Sequence, residues 1–351
     1  MKDPLISIII PVWNAEPYLQ RCLDSVVNQT LSRIEIICVD DASTDSSLKI
    51  LNSYANHDCR MCIVSLQQNL GESGARNCGL ALVRGKYVGF VDNDDKIDLD
   101  FYEKIYENAK ETNADISKAT RMHYALNKIP EEHNINIYIN KNKVYFTSQW
   151  WTGIYRKSLI RSNNINFPIG FPLNGDAVFL TKAVICANKV ATRNDIFYHY
   201  YRRVDSGNPV VMSVEKMISI IETTKIILNY INEKKDILED DQYDYLYYLH
   251  LLRIMRAVLR QTEWKHHEVS IKKMAAETII SYIEKCYRRR SLEHFFSTRF
   301  PDVHKALIES NKESLTDIFL SYASDHALNA QILRYRFTHP ASAHEDWEIT
   351  K

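Results

Sequence analysis

A run of acidic residues follows an apolar segment near position 90. Residues 87–91 are apolar, and Asp92, Asn93, Asp94 and Asp95 come directly after them. Carboxylates this close together repel one another and need a positive charge to offset them. Hard oxygen ligands at the end of a buried strand suit Mg²⁺ or Mn²⁺, which bind few carboxylates and keep positions for water and substrate phosphate. The alternative is a solvated turn in which these side chains make only local hydrogen bonds.

The apolar segment before this run belongs to a repeating pattern of predicted strands. Runs of β-branched and other apolar residues occupy 6–13, 34–41, 62–67 and 87–92. Such runs are typical of parallel strands that are buried on both faces. Segments with helical spacing of apolar residues separate them, so we predict an α/β fold with a mostly parallel, doubly wound central sheet flanked by helices.

In sheets of this kind, ligands bind beyond the carboxyl ends of the strands. Residues 11–14, 40–45 and 92–95 all lie at predicted strand ends and carry polar or acidic side chains. We therefore expect these three segments to converge on one crevice.

From about residue 113 the pattern is looser. It predicts strands at 115–125, 136–146 and 190–203, and helices at 148–163 and 175–188.

Beyond Ser213 nearly the whole chain has helical periodicity. We place a domain boundary near residue 210, which divides the chain into residues 1–210, a helical region of residues 211–337, and residues 338–351, expected to be a flexible tail.

Composition excludes several classes of protein. The 351 residues contain 44 Lys and Arg against 44 Asp and Glu, so no overall positive field points to nucleic acid. The seven cysteines are odd in number and scattered, which indicates reduced thiols in a cytoplasmic protein. The N-terminal apolar run is too short for a signal peptide, and no window reaches the length of a membrane-spanning helix, so we expect a chain that does not cross a membrane.

Several sequence motifs occur in a fixed order along the first part of the chain. Together they resemble glycosyltransferase family 2, the inverting nucleotide-sugar transferases with a GT-A fold, over roughly residues 5–206. The motifs are IIIPVWNAEPYLQRCLDSVVNQT, VDDASTDSS, NLGESGARNCGLALVRGKYVGFVDNDD, IYRKSLI, NGDAVF and YHYYRRVDS. The resemblance implies that residues 1–210 form the nucleotide-sugar-binding and catalytic domain.

The resemblance also assigns a set of residues to the nucleotide. It implies that Asp41 accepts a hydrogen bond from the uracil ring and that Arg76 lies on the donor side, where a surface ion pair is the alternative. Trp13 stacks on the base or, alternatively, packs in the core or the wall. The full set of implied nucleotide contacts is Pro11, Trp13, Asp41, Arg76, Asp92 and Asn93.

Three residues are implied to hold a divalent cation, Mn²⁺ or Mg²⁺. Asp94 is the expected ligand, and Asp92 holds the ribose or assists the metal. His199 falls where some relatives place a third metal ligand or a diphosphate contact, and a packed histidine on a strand is the alternative. Asp95 is expected to cap the helix that follows.

The transfer reaction also needs a base for the acceptor hydroxyl. A sugar hydroxyl does not ionise freely at neutral pH, so a carboxylate opposite the leaving group must accept its proton. The resemblance places this base at Asp176, where a helix N-cap is the alternative. Most relatives read Gly-Glu-Asp, whereas this chain reads Asn174-Gly175-Asp176, which leaves a second acidic contact in doubt. Trp150 and Trp151 are expected either to form a flat aromatic surface under the acceptor sugar or to pack in the core.

The resemblance implies an inverting transfer from a UDP-sugar to a hydroxyl of a glycan or lipid-linked saccharide acceptor, in bacterial surface polysaccharide or lipooligosaccharide synthesis. Arg253, Arg256 and Arg260 share a helical face that suits the inner membrane surface, although a solvated charged face is simpler. A homodimer through the Tyr-rich segment 243–252 is equally open.

Two other functions remain as alternatives. A sugar-phosphate nucleotidyltransferase would need a basic, glycine-rich phosphate loop near the N-terminus, and the segment after the first strand has none. A non-catalytic sugar-nucleotide-binding or scaffold protein of the same fold is supported only by the missing Glu before Asp176.

Overall fold

A computed structural model gives the arrangement of these segments. It describes residues 3–124, 131–133, 137–140, 143–146, 150–201 and 213–239, and, further along, 242–243, 246–247, 249–250, 269–286, 297, 301–309, 311, 315 and 317–318. The three arginines Arg253, Arg256 and Arg260, half of the segment 243–252 and the expected tail lie outside the described residues. Contacts divide the chain into two compact units, the first built from the described residues of Met1–Phe171 and Gly175–Gly207, the second from those of Pro172–Asn174 and Asn208–Trp347.

The strands among the described residues all belong to the first unit. In chain order they are β1 (Ile6–Val12), β2 (Ile34–Asp40), β3 (Met61–Ser65), β4 (Tyr87–Phe90), β5 (Lys96–Ile97), β6 (Ile116–Tyr124), β7 (Glu131–His133), β8 (Ile137–Asn140), β9 (Lys143–Phe146), β10 (Gly153–Arg156) and β11 (Val190–Tyr201).

The helices of the first unit alternate with these strands. They are α1 (Glu16–Val27), α2 (Ser47–Ala55), α3 (Gly71–Leu82), α4 (Phe101–Thr112), α5 (Lys157–Ser162) and α6 (Gly175–Cys186).

The strands of the main sheet follow the order β3-β2-β1-β4-β10-β6-β11-β5, and β7 pairs with β6. The pairs β2–β3, β1–β2, β1–β4 and β6–β11 are parallel, whereas β10 runs antiparallel between β4 and β6. Every residue of β1, β2 and β4 is buried, as the continuous apolar runs predict. The predicted α/β sheet with flanking helices is confirmed.

One element differs from the prediction. The segment 148–163 was expected to be helical, but Gly153–Arg156 forms β10, and only Lys157–Ser162 is a helix. A Cβ on Gly153 would lie 2.4 Å from the Ser117 carbonyl oxygen, so the absence of a side chain permits this close pairing with β6. Tertiary pairing, rather than local periodicity, decides this segment.

The described part of the second unit is helical. Helix α7 (Val214–Glu233) begins after Ser213, whose hydroxyl oxygen accepts a hydrogen bond from the Lys216 N–H, a typical N-cap. A second helix, Val269–Cys286, meets α7 where the Tyr282 hydroxyl donates to Asn229 Oδ1 at 2.9 Å. A further helix spans Pro301–Ile308. Within the part of the chain that the structure describes, the helices are all too short or too polar to span a membrane.

Candidate functional site

The loops at the carboxyl ends of β1, β2 and β4 lie together, as expected. The Asp41 N–H donates to the Val12 carbonyl at 2.8 Å, which joins the ends of β2 and β1. The Asn93 side-chain amide donates to the Pro11 carbonyl at 2.8 Å, which ties the acidic turn to the end of β1. This edge of the sheet therefore carries all the polar segments singled out in the sequence.

The acidic turn itself is held from two sides. The Asp95 N–H donates to the Asp92 carbonyl at 3.1 Å and closes the turn. The Asp92 N–H donates to the hydroxyl of buried Tyr198, on β11, at 3.0 Å. The backbone of the acidic turn is thus held by its own closing hydrogen bond and by β11.

Two arginines supply positive charge to this turn. The Arg76 Nη2 atom of α3 lies 2.8 Å from Asp92 Oδ1, and it also contacts the Glu72 carboxylate one helical turn earlier. The Arg21 guanidinium of α1 donates to the carbonyl of Asp94 and lies 3.8 Å from the ring centroid of Tyr201. In this structure a large part of the acidic charge is therefore offset by the protein itself.

Arg76 is enclosed by aromatic rings. Its side chain is 4% exposed, and its guanidinium carbon lies 4.4 Å from the Trp150 ring centroid and 5.4 Å from that of Phe167. Burial disfavours the charged guanidinium, but the carboxylates of Glu72 and Asp92 outweigh burial and raise the pKa of Arg76 above its ordinary value. Arg76 is a buried cation at the centre of the site rather than half of a surface ion pair.

Trp150 is one of the rings that enclose Arg76, and its ring is not exposed as a surface for an acceptor sugar. It is 2% exposed and packs edge-to-face against Phe90, Phe167 and Phe179. Its neighbour Trp151 packs against the main core. The alternative of core packing is the one observed for Trp150.

Asp95 does not cap the following helix, and that expectation was wrong. Helix α4 begins only at Phe101, whereas Asp95 is fully buried and its Oδ1 accepts the Tyr201 N–H at 2.8 Å. Burial, together with the charges of Asp92 and Asp94, raises the pKa of Asp95 well above its ordinary value. Asp95 joins the turn to the end of β11.

Asp41 is placed to present a carboxylate beside the end of β1. It is 3% exposed, and its Oδ1 accepts the Leu70 N–H at 2.7 Å. Burial raises the pKa of this carboxyl group above its ordinary value. Trp13, at the end of β1, is 54% exposed, so its ring faces solvent and is not a core residue.

The loops after β1 and β2 brace each other. Asn14 has a φ of 46°, in the left-handed region, and its side-chain oxygen accepts the Thr44 N–H at 2.8 Å. Asp45 accepts the N–H groups of Ser47, which starts α2, and of Glu16, which starts α1. Asp45 thus accepts N–H groups at the starts of two helices.

Asp176 lies in the first turn of α6, and its Oδ1 accepts the Ala177 N–H at 2.8 Å. It is half-buried and acts electrostatically on Arg76 and on Glu72. A Cβ on the preceding residue, Gly175, would lie 2.7 Å from Ser73 Oγ, on the helix that carries Arg76. The structure brings the predicted base and the acidic turn into one cluster.

His199 has protein partners at both ring nitrogens. Nε2 lies 2.6 Å from Asp98 Oδ1, and Nδ1 lies 2.9 Å from the Tyr124 hydroxyl. Ligation of a metal by His199 stays a prediction, and it requires one of these contacts to break.

Two features of the turn fit a divalent cation of the Mg²⁺ or Mn²⁺ type. Asp92 and Asp94 supply hard carboxylate oxygens from one closed turn, and both side chains are half-buried rather than sealed in the core. Across the described ranges, no three His, Cys, Asp or Glu side chains are grouped closely enough to hold a metal by themselves. Two carboxylates completed by water and substrate phosphates are the usual environment of Mg²⁺.

Sequence reasoning missed three residues of this site: Glu72, Arg21 and Tyr201. The spacing of Glu72 and Arg76 is the i,i+4 spacing of a helical ion pair, which is a usable signal. Arg21 and Tyr201 give no such signal, because their contact joins α1 to β11.

Relatives of known sequence support the same reading of the fold and the motifs. The chain is 36% identical over 216 residues to the poly(ribitol-phosphate) beta-glucosyltransferase of Bacillus spizizenii, a match that covers 60% of this chain and 34% of that protein. It is 31% identical over 245 residues to the cholesterol galactosyltransferase of Borreliella burgdorferi, covering 64% and 65%. Over the first four curated relatives, the match spans between 32% and 62% of the relative's own length.

Solved structures share the fold. Staphylococcus aureus TarS 1–349 in complex with UDP-GlcNAc superposes with a TM-score of 0.73 at 22% identity, covering 90% of this chain and 91% of that chain. The mannosyltransferase PcManGT of Pyrobaculum calidifontis, in complex with GDP-Man and Mn²⁺, gives a TM-score of 0.51 at 12% identity, covering 96% and 88%.

A sequence model of one family matches half of the chain. The model described as glycosyl transferase family 2 matches residues 7–183, which include the acidic turn, the Arg76 helix and Asp176. With the parallel sheet and the carboxylates at its strand ends, this match shows that the chain belongs to glycosyl transferase family 2 and has the GT-A fold.

Proposed function

We propose that this protein is a metal-dependent, inverting glycosyltransferase that moves a sugar from a UDP-sugar to a hydroxyl of a glycan or lipid-linked saccharide. The observation that carries the proposal is that α3, whose buried Arg76 pairs with Asp92, lies against the start of α6, where a Cβ on Gly175 would be 2.7 Å from Ser73 Oγ. This packing supports a shared site for the donor-side turn and the proposed base, Asp176, as a transfer reaction requires.

The donor side is formed by the ends of the parallel strands. Asp41 offers an acceptor to the imino N–H of uracil, and the exposed ring of Trp13 offers a face for the base. Asp92 and Asp94 would hold Mn²⁺ or Mg²⁺, which supplies Lewis-acid neutralisation of the leaving diphosphate. The crystal structures of S. aureus TarS in complex with UDP and with UDP-GlcNAc support a uridine nucleotide as the donor.

The acceptor side uses Asp176. Its half-buried carboxylate accepts the proton of the attacking hydroxyl as the new C–O bond forms. Attack from the face opposite the leaving diphosphate inverts the configuration of the anomeric carbon. Glu72 and Asp92 both contact the Arg76 guanidinium and Asp176 adds a third negative charge, so an acceptor that presents hydroxyl groups suits this place better than one that presents an anion.

The biological setting follows from relatives that act in bacteria. We infer a role in surface polysaccharide synthesis on the cytoplasmic side of the inner membrane, with peripheral membrane contact and a homodimer as further predictions. The beta-glucosyltransferase of B. spizizenii and the galactosyltransferase of B. burgdorferi support sugar transfer as the chemistry.

Two substitutions test the proposal. Asp176→Asn should keep metal-dependent UDP-sugar binding and lose turnover by about a hundredfold or more, because general base catalysis is removed. Asp94→Ala should lose metal-dependent UDP binding in calorimetry. The control is Asp24→Asn, which changes an exposed carboxylate that accepts a hydrogen bond from the Tyr54 hydroxyl. This variant should change neither turnover nor UDP binding.

The outcomes separate the candidate functions. Turnover in Asp176→Asn equal to that of the wild type would remove Asp176 as the base. Nucleotide binding by the wild type, without transfer to any of a panel of saccharide acceptors and without hydrolysis, would favour a non-catalytic binding protein.

A further inference from the structure

Glu72 lies within the third motif of the chain, which gives it no role in the sequence analysis. Glu72 and Arg76 are one turn apart on α3, and the Glu72 carboxylate contacts Arg76 Nη2. The same Nη2 atom lies 2.8 Å from Asp92 Oδ1. One nitrogen of a buried arginine is therefore shared between two carboxylates.

The two carboxylates differ in what else they must do. Asp92 belongs to the turn that would face the donor and its cation, and its side chain is 21% exposed. The Glu72 side chain is 63% exposed. Asp92 would also contact the donor and its cation, whereas Glu72 can remain paired with Arg76 throughout.

Arg76 cannot be left without a partner. It is 4% exposed, it is packed against Trp150 and Phe167, and its Nε atom is buried without a hydrogen-bond partner among the described residues. Breaking a buried ion pair by removing one partner is strongly unfavourable, because it leaves an uncompensated charge. If Asp92 were its single carboxylate, Arg76 would compete with any cation for that oxygen.

We propose that Glu72 is a positioning residue that keeps Arg76 paired while Asp92 turns from Arg76 to the donor and its divalent cation. The inference rests on the proposed function, since it assumes that Asp92 serves the metal-bound donor. When the donor binds, the hydrogen bond from Arg76 to Asp92 breaks, and Asp92 instead contacts the cation or the ribose. Arg76 stays paired with Glu72, and no covalent bond changes.

The test is Glu72→Gln, an exposed, isosteric change that leaves the fold intact. Without the Glu72 charge, Arg76 holds Asp92 more strongly, so the Mn²⁺-dependent affinity for UDP should fall about tenfold, or about 1.4 kcal/mol. The readout is calorimetric titration of UDP at several Mn²⁺ concentrations. The matched control is Asp100→Asn, which removes the carboxylate of another i,i+4 ion pair, with Lys104, and should leave the affinity unchanged.

A double-mutant cycle separates this mechanism from a simple loss of negative charge near the cation. In an Arg76→Met background Asp92 has already been released, so Glu72→Gln should have no further effect on UDP affinity. If Glu72→Gln weakens binding equally in both backgrounds, the effect is a long-range field and the proposal is overturned.

A second measurement covers the case in which Arg76→Met does not fold. The ratio of wild-type to Glu72→Gln affinity should persist at about 0.5 M salt, since a contact within a buried ion pair is screened much less than a field between exposed charges. A ratio that falls to one at high salt would overturn the proposal.

Failure of the inference and failure of the proposed function are distinguishable. If the wild type binds UDP with Mn²⁺ and the Asp94→Ala variant does not, the proposed function stands, whatever the result for Glu72→Gln. Unchanged affinity in Glu72→Gln then removes only the role of Glu72. Absence of Mn²⁺-dependent binding in the wild type removes both.

Discussion

His199 Nε2 lies 2.6 Å from Asp98 Oδ1, and the opposite ring nitrogen lies 2.9 Å from the hydroxyl of Tyr124. A carboxylate only accepts hydrogen bonds, so Nε2 carries the proton, and in the neutral ring Nδ1 accepts from Tyr124. Both nitrogens are then in use, which favours a structural task for His199 at the end of β11.

The first prediction concerns this histidine. His199→Gln should lower the free energy of unfolding by about 1.5–3 kcal/mol, the usual size of a hydrogen bond to a charged group, and change Mn²⁺-dependent UDP affinity by less than about threefold. Urea unfolding and calorimetry measure the two effects. A loss of metal affinity of more than about tenfold, with unchanged stability, would instead support His199 as a metal ligand.

The second prediction concerns base recognition by Asp41. Its carboxylate accepts the Leu70 N–H, and burial raises its pKa above the ordinary value. Affinity for a UDP-sugar should therefore begin to fall, on acidification, at a higher pH than an ordinary aspartate would give, because the protonated group is a poorer acceptor.

Asp41→Asn should weaken UDP-sugar binding about tenfold and abolish this acid dependence. CDP is the control ligand, since cytosine lacks the imino N–H that Asp41 would accept. A variant that binds UDP-sugar as tightly as the wild type would contradict the assignment.

The third prediction concerns Lys118, which is fully buried on β6. Its Nζ donates to the Trp150 carbonyl at 3.0 Å, and burial lowers the pKa of Lys118 well below its ordinary value. Between the folded and unfolded pKa values the unfolded chain binds more protons, so the free energy of unfolding rises with pH by up to about 1.4 kcal/mol per unit.

Lys118→Met should remove this slope and be more stable than the wild type near neutral pH. The Trp150 carbonyl keeps a hydrogen bond from the Tyr155 hydroxyl, so the change leaves that oxygen paired. The gain should shrink as the pH rises toward about 10, as urea unfolding at several pH values will measure. Lys49→Met, at an exposed position, is the control. Parallel pH profiles for wild type and variant would contradict the prediction.

The fourth prediction concerns the packing of α3 on β1. A Cβ on Gly79 would lie 2.5 Å from Ile9 Cγ2, so α3 lies closer to β1 than a side chain permits. Gly79→Ala should lower the free energy of unfolding by about 1–3 kcal/mol despite the better helix propensity of alanine. Leu82→Ala, at a half-exposed position of the same helix, is the control.

Ile9→Ala should relieve the clash, so the double variant should be less destabilised than the sum of the single changes. Strict additivity in chemical unfolding would show that Ile9 does not limit the approach of α3.

Much of the fold was predictable because its signals are local. Continuous apolar runs predicted the buried parallel strands β1, β2 and β4, and the carboxyl ends of parallel strands meet at one edge of a sheet. The segment that became β10 was mispredicted, because its pairing with β6 depends on a close approach at Gly153 that no local pattern records.

The candidate site shows the same division. The acidic run after a predicted strand made Asp92 and Asp94 recognisable in the sequence, and the family resemblance added Asp41 and Asp176. Only the tertiary structure decided the partners of the acidic turn and of His199: Arg76, shared with Glu72, lies at Asp92, Arg21 donates to the Asp94 carbonyl, and Asp98 lies at His199. The physical reason is that a charge is stabilised by whatever lies within a few ångströms of it, and most of these partners come from segments that are distant in the chain.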